Sequence, residues 1–428
     1  MSFLSPFFTG KKNEPQGNSA INPDNISIEV LKGLIPIRNL KTENLIAFAT
    51  DLKCEVFPDK AVLFKTGEEA DSVLYLLKGL INLSDENGNT YEVDAQTAKA
   101  KFPLSSGTKH TTTATAKTVV YILRVSQKIM VGKNLQNTPL SEIVIPEEYS
   151  DNRLLQAFTQ HCQNEELEIP SLPDIAIKLR KAIQQDIGIN EAVKMIQLDP
   201  VISARLVEVA NCPLYFTNVP VKSCLNAVNR IGLNAVRNLV ISFSINHIFK
   251  SNSPIIRKHL DKLWKKSLYI SALSYTLASV SKQANPDEAL LAGLLCDIGL
   301  IPFLNFVADL PKDYYSEEEM LQAMPFIKGP IGYKILQNWD FPAEFLDVPA
   351  HSDNWYYNAS DQLSLTDIVI LSRLHSQIGQ TDLVDLPAIT SIPAASKLLN
   401  FSLSPEHSLN LLHDAKQQIN DALKAFSN

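Results

Sequence analysis

Leu198-Asp-Pro-Val-Ile-Ser-Ala-Arg-Leu-Val-Glu-Val-Ala-Asn211 reads as a helix with both of its ends written into it. Asp199 offers a side-chain oxygen to the free amides of a first turn, and Pro200 at the first helical position gives up no donor that the helix would use. Val201, Ile202, Leu206, Val209 and Ala210 then fall on one face, and Asn211 followed by Pro213 closes the segment. The same period holds from Asn152 onward. It predicts helices over Asn234–Phe249, Leu260–Val280, Asp287–Leu295, Ile331–Trp339, Ser364–Ile378 and Pro405–Phe426, an all-α region with a subdivision near residue 360.

Upstream the period changes to two. Ala61–Phe64, Ser72–Leu77, Leu80–Leu83 and Thr118–Leu123 are short apolar runs bounded by turn residues, and Asn87-Gly88 is a hairpin signal. Thr42–Phe48 reads as a short helix ahead of them. The fold class is therefore multidomain α+β, an antiparallel β domain followed by a helical one. The expected organisation is a flexible tail at 1–20, a β domain at 21–128, a linker at 129–151, a helical domain at 152–360 and its C-terminal helical part at 361–428.

The 428 residues suffice for two or three cores, and 45% hydrophobic with 20% charged residues is ordinary for a globular protein. No run approaches the ~20 uninterrupted apolar residues of a membrane span. Residues 1–20 lack the basic, apolar and cleavage segments of a signal peptide. Five cysteines without a close Cys-x-x-Cys pair point to a reducing cytoplasm. A net charge of -7 gives no global basic footprint for nucleic acid.

Gly293-Leu-Leu-Cys-Asp-Ile-Gly299 carries the sharpest chemical question. A histidine followed by an aspartate would set an imidazole nitrogen beside a carboxylate oxygen, a pair suited to a divalent cation that activates water. Here the pair is Cys296-Asp297, and a soft thiol is a poor partner for a hard ion.

Together with Ile169–Pro173, Leu198–Pro200, Val209–Asn211 with Tyr215, Ala227–Gly232, Trp264 with Ser267, and Trp339 with Pro342, the Ala292–Gly299 run resembles the HDOD domain. This family is related to the HD and HD-GYP phosphohydrolases and occurs in bacterial signalling proteins. The resemblance implies where the metal ligands of an HD enzyme would stand. The leading histidine falls on Lys266, the His-Asp pair on Cys296-Asp297, the next histidine near Lys328, another on His351, and the closing aspartate near Arg373. Two of these six keep a ligand type for hard metals, and the others include three cations. The implied site is a vestigial one without metal or cofactor. Asp297 is expected to cap a helix or pair with a cation, His351 to hydrogen-bond near a helix end, and Cys296 to be a small core residue.

The β half resembles the cyclic nucleotide-binding domain of the catabolite activator type, which implies a small jelly-roll-like β-barrel. The likeness runs through Leu45, Val62–Phe64 with Gly67-Glu68, Val73–Leu80, and Phe102–Leu104 to Thr115-Ala116. Working members clamp the cyclic phosphate with backbone amides and an arginine. In that cassette this chain has Ala98-Lys-Ala-Lys-Phe-Pro-Leu104, and Lys109-His110-Thr111 where the arginine belongs. Those three remain candidates for a nucleotide or other anion, although neither lysine nor histidine reproduces the arginine fork. A threonine run beside strand residues is more often strand surface.

The expectation is a cytoplasmic bacterial signal-transduction protein without enzyme activity, coupling a sensor-like β domain to an HDOD output domain that contacts other signalling proteins. The alternative is a metal-dependent HD-type phosphodiesterase acting on cyclic nucleotides or dinucleotides. Asn226–Phe249 offers helix, turn and helix, but its second helix is too apolar to face DNA, so no DNA or membrane partner is expected.

Overall fold

The computed structural model describes residues 26–127, 149–377 and 386–399, apart from positions within 41–53, 165–168, 186, 213–218 and 312–313. The expected tail, most of the linker, the Thr42–Phe48 helix and the Pro405–Phe426 helix fall largely or wholly outside these residues.

Short helix α1 (Ile28–Gly33) precedes strands β1 (Cys54–Phe57), β2 (Val62–Phe64), β3 (Ser72–Lys78), β4 (Leu80–Ser84), β5 (Thr90–Asp94), β6 (Thr113–Ala116) and β7 (Val120–Ser126). All pairings are antiparallel and make two sheets, ordered β1-β7-β3 and β2-β6-β4-β5. The antiparallel β expectation is met, but the barrel is not: among the described residues no ladder joins the two sheets. The chain passes from one sheet to the other between β3 and β4 at Gly79, whose φ of 95° turns it sharply. The sequence reading missed β1, β5 and β6. Glu55 interrupts β1, β5 sets exposed polar residues on either side of Tyr91 and the buried Val93, and β6 is Thr-Ala-Thr-Ala, so each lacks a continuous apolar run.

Strands β3 and β7 are apolar on both faces because they serve two cores. Leu74, Leu76, Val120 and Ile122 point between the sheets to meet Phe64, Ile81, Leu83, Val93 and Ala114. The alternate residues Val73, Tyr75, Leu123 and Val125 join the core of the helical half. Tyr75 carries its hydroxyl into that layer and donates to the carbonyl of Ile35 at 2.9 Å.

The helical half runs α2 (Arg153–Asn164), α3 (Asp174–Gln184), α4 (Ile189–Ile196), α5 (Pro200–Ala210), α6 (Cys224–Ile231), α7 (Leu233–Ser244), α8 (Pro254–Ser281), α9 (Pro286–Leu295), α10 (Leu300–Asp309), α11 (Glu317–Asn338), α12 (Ala343–His351) and α13 (Leu365–Gln377). Asp199 caps α5 as read, accepting from the amides of Val201 and Ile202 at 2.9 and 3.0 Å. Val201 departs from the predicted apolar face and is 66% exposed, since it lies one position off the buried stripe of Ile202, Leu206 and Val209. Helix α7, rejected as a DNA reader, is almost wholly buried.

Helix α11 begins well before the predicted Ile331. Ser316 and Glu319 form a capping box, and the helix continues through two internal prolines, Pro325 and Pro330. Its packing on neighbours outweighs the two lost amide donors. Helix α10 was also not anticipated; with α9 it forms the apolar stretch Pro286–Asp309, mean hydropathy 2.0. That stretch has the length and composition of a membrane span, but its most apolar 18-residue window is 89% buried inside the protein as the central core.

Candidate functional site

Asp297 sits in the tight turn between α9 and α10, and two glycines let that turn approach its neighbours. A Cβ on Gly293 would come 2.8 Å from Ser271 Cα on α8. One on Gly299 would overlap the Lys328 carbonyl oxygen and lie 2.5 Å from the Gly332 amide nitrogen on α11. The turn is thereby pressed between α8 and α11, which brings Asp297 beside Lys266 of α8 and Lys328 of α11. Gly299→Ala is expected to destabilise the fold by about 1–3 kcal/mol, because backbone rather than a flexible side chain must move. A thermal melt within error of the parent would refute this.

Around the fully buried Asp297 carboxylate stand Arg373 Nη1 of α13 at 2.8 Å, Lys328 Nζ at 3.4 Å and Lys266 Nζ at 3.4 Å. Arg373 Nη1 also lies 3.4 Å from Cys296 Sγ. Lys328 and Arg373 are almost wholly buried, and both ion-pair with Asp353, just beyond the end of α12. Lys328 Nζ donates to Ser352 Oγ at 3.0 Å. Lys266 and Asp353 are each about half exposed and form the rim. Three cations face two carboxylates.

The titration of the centre follows from this geometry. Burial pushes the Asp297 carboxyl up, but Arg373, Lys328 and Lys266 together outweigh it and hold the group far below the usual carboxylate range. For Asp353 burial is likewise opposed by Lys328 and Arg373, and the result is a value lowered to about 2. Burial, then the neighbouring Asp297, push the Cys296 thiol up to about 11 against the pull of the cations. Cys296 is thus a poor nucleophile. It should resist iodoacetamide at neutral pH in the folded protein and react once denatured; labelling of the native protein as fast as a free thiol would contradict its burial.

The structure brings Lys266, Cys296, Asp297, Lys328 and Arg373 together. His351 stands apart from the Asp297 pairs: it is the buried last residue of α12 and stacks on Tyr357, with ring centroids 4.5 Å apart. It stands at the helix end as expected, its Nε2 has no hydrogen-bond partner among the described residues, and burial lowers its pKa, so it is packed as a core imidazole. Asp353 was missed. It lies two residues beyond His351 in Pro349-Ala-His-Ser-Asp353, and nothing in the spacing distinguishes it from a surface acid before Lys328 and Arg373 are placed. A dication does not fit this constellation. The space around Asp297 that ligands would share is filled by three ammonium and guanidinium groups, and among the described residues no three His, Cys, Asp or Glu side chains converge as a metal site.

The candidates in the β half separate. Lys109 is exposed, whereas His110 is buried, stacks on Phe64 at 4.0 Å and lies with Nδ1 2.9 Å from Ser105 Oγ. Thr111 donates to the carbonyl of Thr390 at 2.5 Å, far along the chain. Thr112 is buried too, so the threonine run is only partly strand surface. The three do not converge on one anion position.

The HDOD domain family matches residues 169–355. The chain carries an HDOD domain. Most of the ion-pair centre lies within it, with Arg373 supplied from beyond its C-terminal limit. A curated relative, an uncharacterized protein of Treponema pallidum, is 21% identical over 240 residues, covering 51% of this chain and 45% of the relative. The chain thus matches less than half the length of that relative. Among solved structures, one from Shewanella amazonensis SB2B, provisionally named a metal-dependent phosphohydrolase, is 23% identical with a TM-score of 0.57, over 64% of this chain and 99% of that one. It shares the fold of the helical half. The β half is similar to a cyclic nucleotide-binding-like protein from Brucella abortus, 22% identical over 24% of this chain and 91% of that one, with a TM-score of 0.21.

Proposed function

We propose that this is a non-catalytic signal-transduction protein of the bacterial cytoplasm, in which a sensor-like β half acts on an HDOD output domain that works through contacts with other signalling proteins. The observation that carries this reading is the Asp297 centre. Arg373, Lys328 and Lys266 surround the buried Asp297 carboxylate, and they stand at positions where the family resemblance implies the ligands of a hydrolytic HD site, so fixed side-chain cations take the place of the charge that would polarise a phosphoester. These cations balance a buried carboxylate and brace α8, α11 and α13 against the α9–α10 turn. The site has become a structural junction, and an output domain without chemistry acts through what it touches.

The test is elemental analysis of the purified protein together with an assay for hydrolysis of cyclic nucleotides and cyclic dinucleotides with added manganese. The expected result is neither stoichiometric metal nor turnover. Stoichiometric manganese, iron or zinc with turnover that Asp297→Asn abolishes would establish the phosphodiesterase instead.

A further inference from the structure

The segment from Leu386 to Leu399 lies between the two halves and contacts each by a different chemistry. On the β side the contacts are hydroxyl hydrogen bonds. Tyr91 Oη is 2.6 Å from Thr390 Oγ1, Thr111 Oγ1 donates to the Thr390 carbonyl at 2.5 Å, and Ser106 Oγ donates to the Ser391 carbonyl. Ser396, ending the short helix α14 (Pro393–Ser396), fills the space beside Gly107, where a Cβ would lie 2.6 Å from Ser396 Cβ. Three of these β-side residues, Ser106, Gly107 and Thr111, belong to the loop between β5 and β6 that also holds His110.

On the helical side the contact is an ion pair. Nζ of Lys397, a side chain only 2% exposed, meets both oxygens of Asp367 at 2.9 and 3.0 Å. Gln283 adds a bond to the Lys397 carbonyl at 2.9 Å and accepts from the Leu399 amide at 2.9 Å. Asp367 lies on α13, the helix that presents Arg373 to Asp297. The β-side bonds are neutral hydrogen bonds whose net contribution is small, because they can be exchanged for bonds to water or another partner. A buried ion pair with one partner removed costs several times more. The segment is therefore anchored to the helical half and releasable from the β half.

We propose that Tyr91, Ser106, Gly107 and Thr111 form an interaction surface whose occupant is the chain's own Ile389–Lys397 segment, and that seating of this segment fixes α13 and so keeps Arg373 on Asp297. The inference rests on the reading of the β half as a sensor and the helical half as its output, and supplies the physical connection between them. A signal that remodels the β5–β6 loop unseats the segment, and the Lys397–Asp367 pair passes the release to α13 and the Asp297 centre.

The test uses the fit at Gly107. Gly107→Ala pushes Ser396 away, and adding Ser396→Gly removes the atoms it strikes. Amide hydrogen exchange of the full chain would be followed over 386–399 and 365–377, with the alkylation rate of Cys296 reporting on the Arg373 contact. Gly107→Ala is expected to raise exchange in both segments and Cys296 alkylation at least tenfold, and the double variant to return all three toward wild type. The proposal fails if exchange over 386–399 is unchanged, if it rises while α13 and Cys296 stay as in wild type, or if Ser396→Gly does not rescue. Should Gly107→Ala not fold, Ser106→Ala with Thr111→Val removes two donors without added bulk, and the same three readouts decide. Metal content and turnover of the wild type do not bear on this outcome, so the coupling and the non-catalytic reading can fail separately.

Discussion

Asp297→Ala is expected to lower the free energy of unfolding by about 3–5 kcal/mol, the range for breaking a buried ion pair by removal of one partner. The carboxylate is buried, and three cations depend on it; without it Lys328 and Arg373 remain inside with only the half-exposed Asp353. The loss should depend on pH with a definite sign. Asp297 is held far below its unfolded value of about 3.9, so its contribution is complete above that pH and is lost as the pH falls below it toward the folded value. Over that acid range the unfolded chain binds a proton that the native one does not. The gap between wild type and variant should then narrow by up to about 1.4 kcal/mol per pH unit. Urea unfolding at pH 7, 5 and 3 measures it: equal gaps at 7 and 5, and a smaller one at 3. A gap below about 1 kcal/mol at pH 7, as for a surface pair, would show that the centre is solvated and does not brace the helices.

That centre was half legible in the sequence. Lys266, Lys328 and Arg373 could be set against Cys296-Asp297 by position in a resembling family, and their charge sign already argued against a dication. The pairing itself was not legible, because it depends on how closely the α9–α10 turn approaches α8 and α11. That approach is set by what a Cβ at Gly293 or Gly299 would strike, a property of tertiary packing that no local pattern encodes. Asp353 was hidden for the same reason. The helices were legible where capping chemistry is local, as at Asp199-Pro200, and cut short at α11, which starts at Glu317 and runs through Pro325 and Pro330 because packing on neighbouring helices holds it. In the β half, β3 announced itself because it is apolar on both faces; β6, a threonine–alanine strand, had no such signature. The docking of Ile389–Lys397 on the β half spans nearly 300 positions of sequence separation between Tyr91 and Thr390, 299 residues apart, and polar residues in a proline-bounded stretch read only as loop.

Lys397→Met is expected to cost about 3 kcal/mol, an effect out of proportion to a residue in a short irregular segment. Asp367 is fully buried, and although the amide and hydroxyl of Ser364 donate to its Oδ2 at 2.8 and 2.7 Å, its Oδ1 faces the Lys397 ammonium at 2.9 Å. Methionine keeps most of the volume of the lysine stem and leaves that oxygen without its cation. If the cost is electrostatic, neutralising the partner should remove most of it. Asp367→Asn retains an acceptor for Ser364 and discards the charge, so the double variant Lys397→Met with Asp367→Asn should recover at least half of the lost stability, and the two single losses should not add. Urea midpoints of the four proteins form the cycle. Additive losses would mean that each side chain contributes through packing alone, and that Lys397 does not hold α13 by its charge.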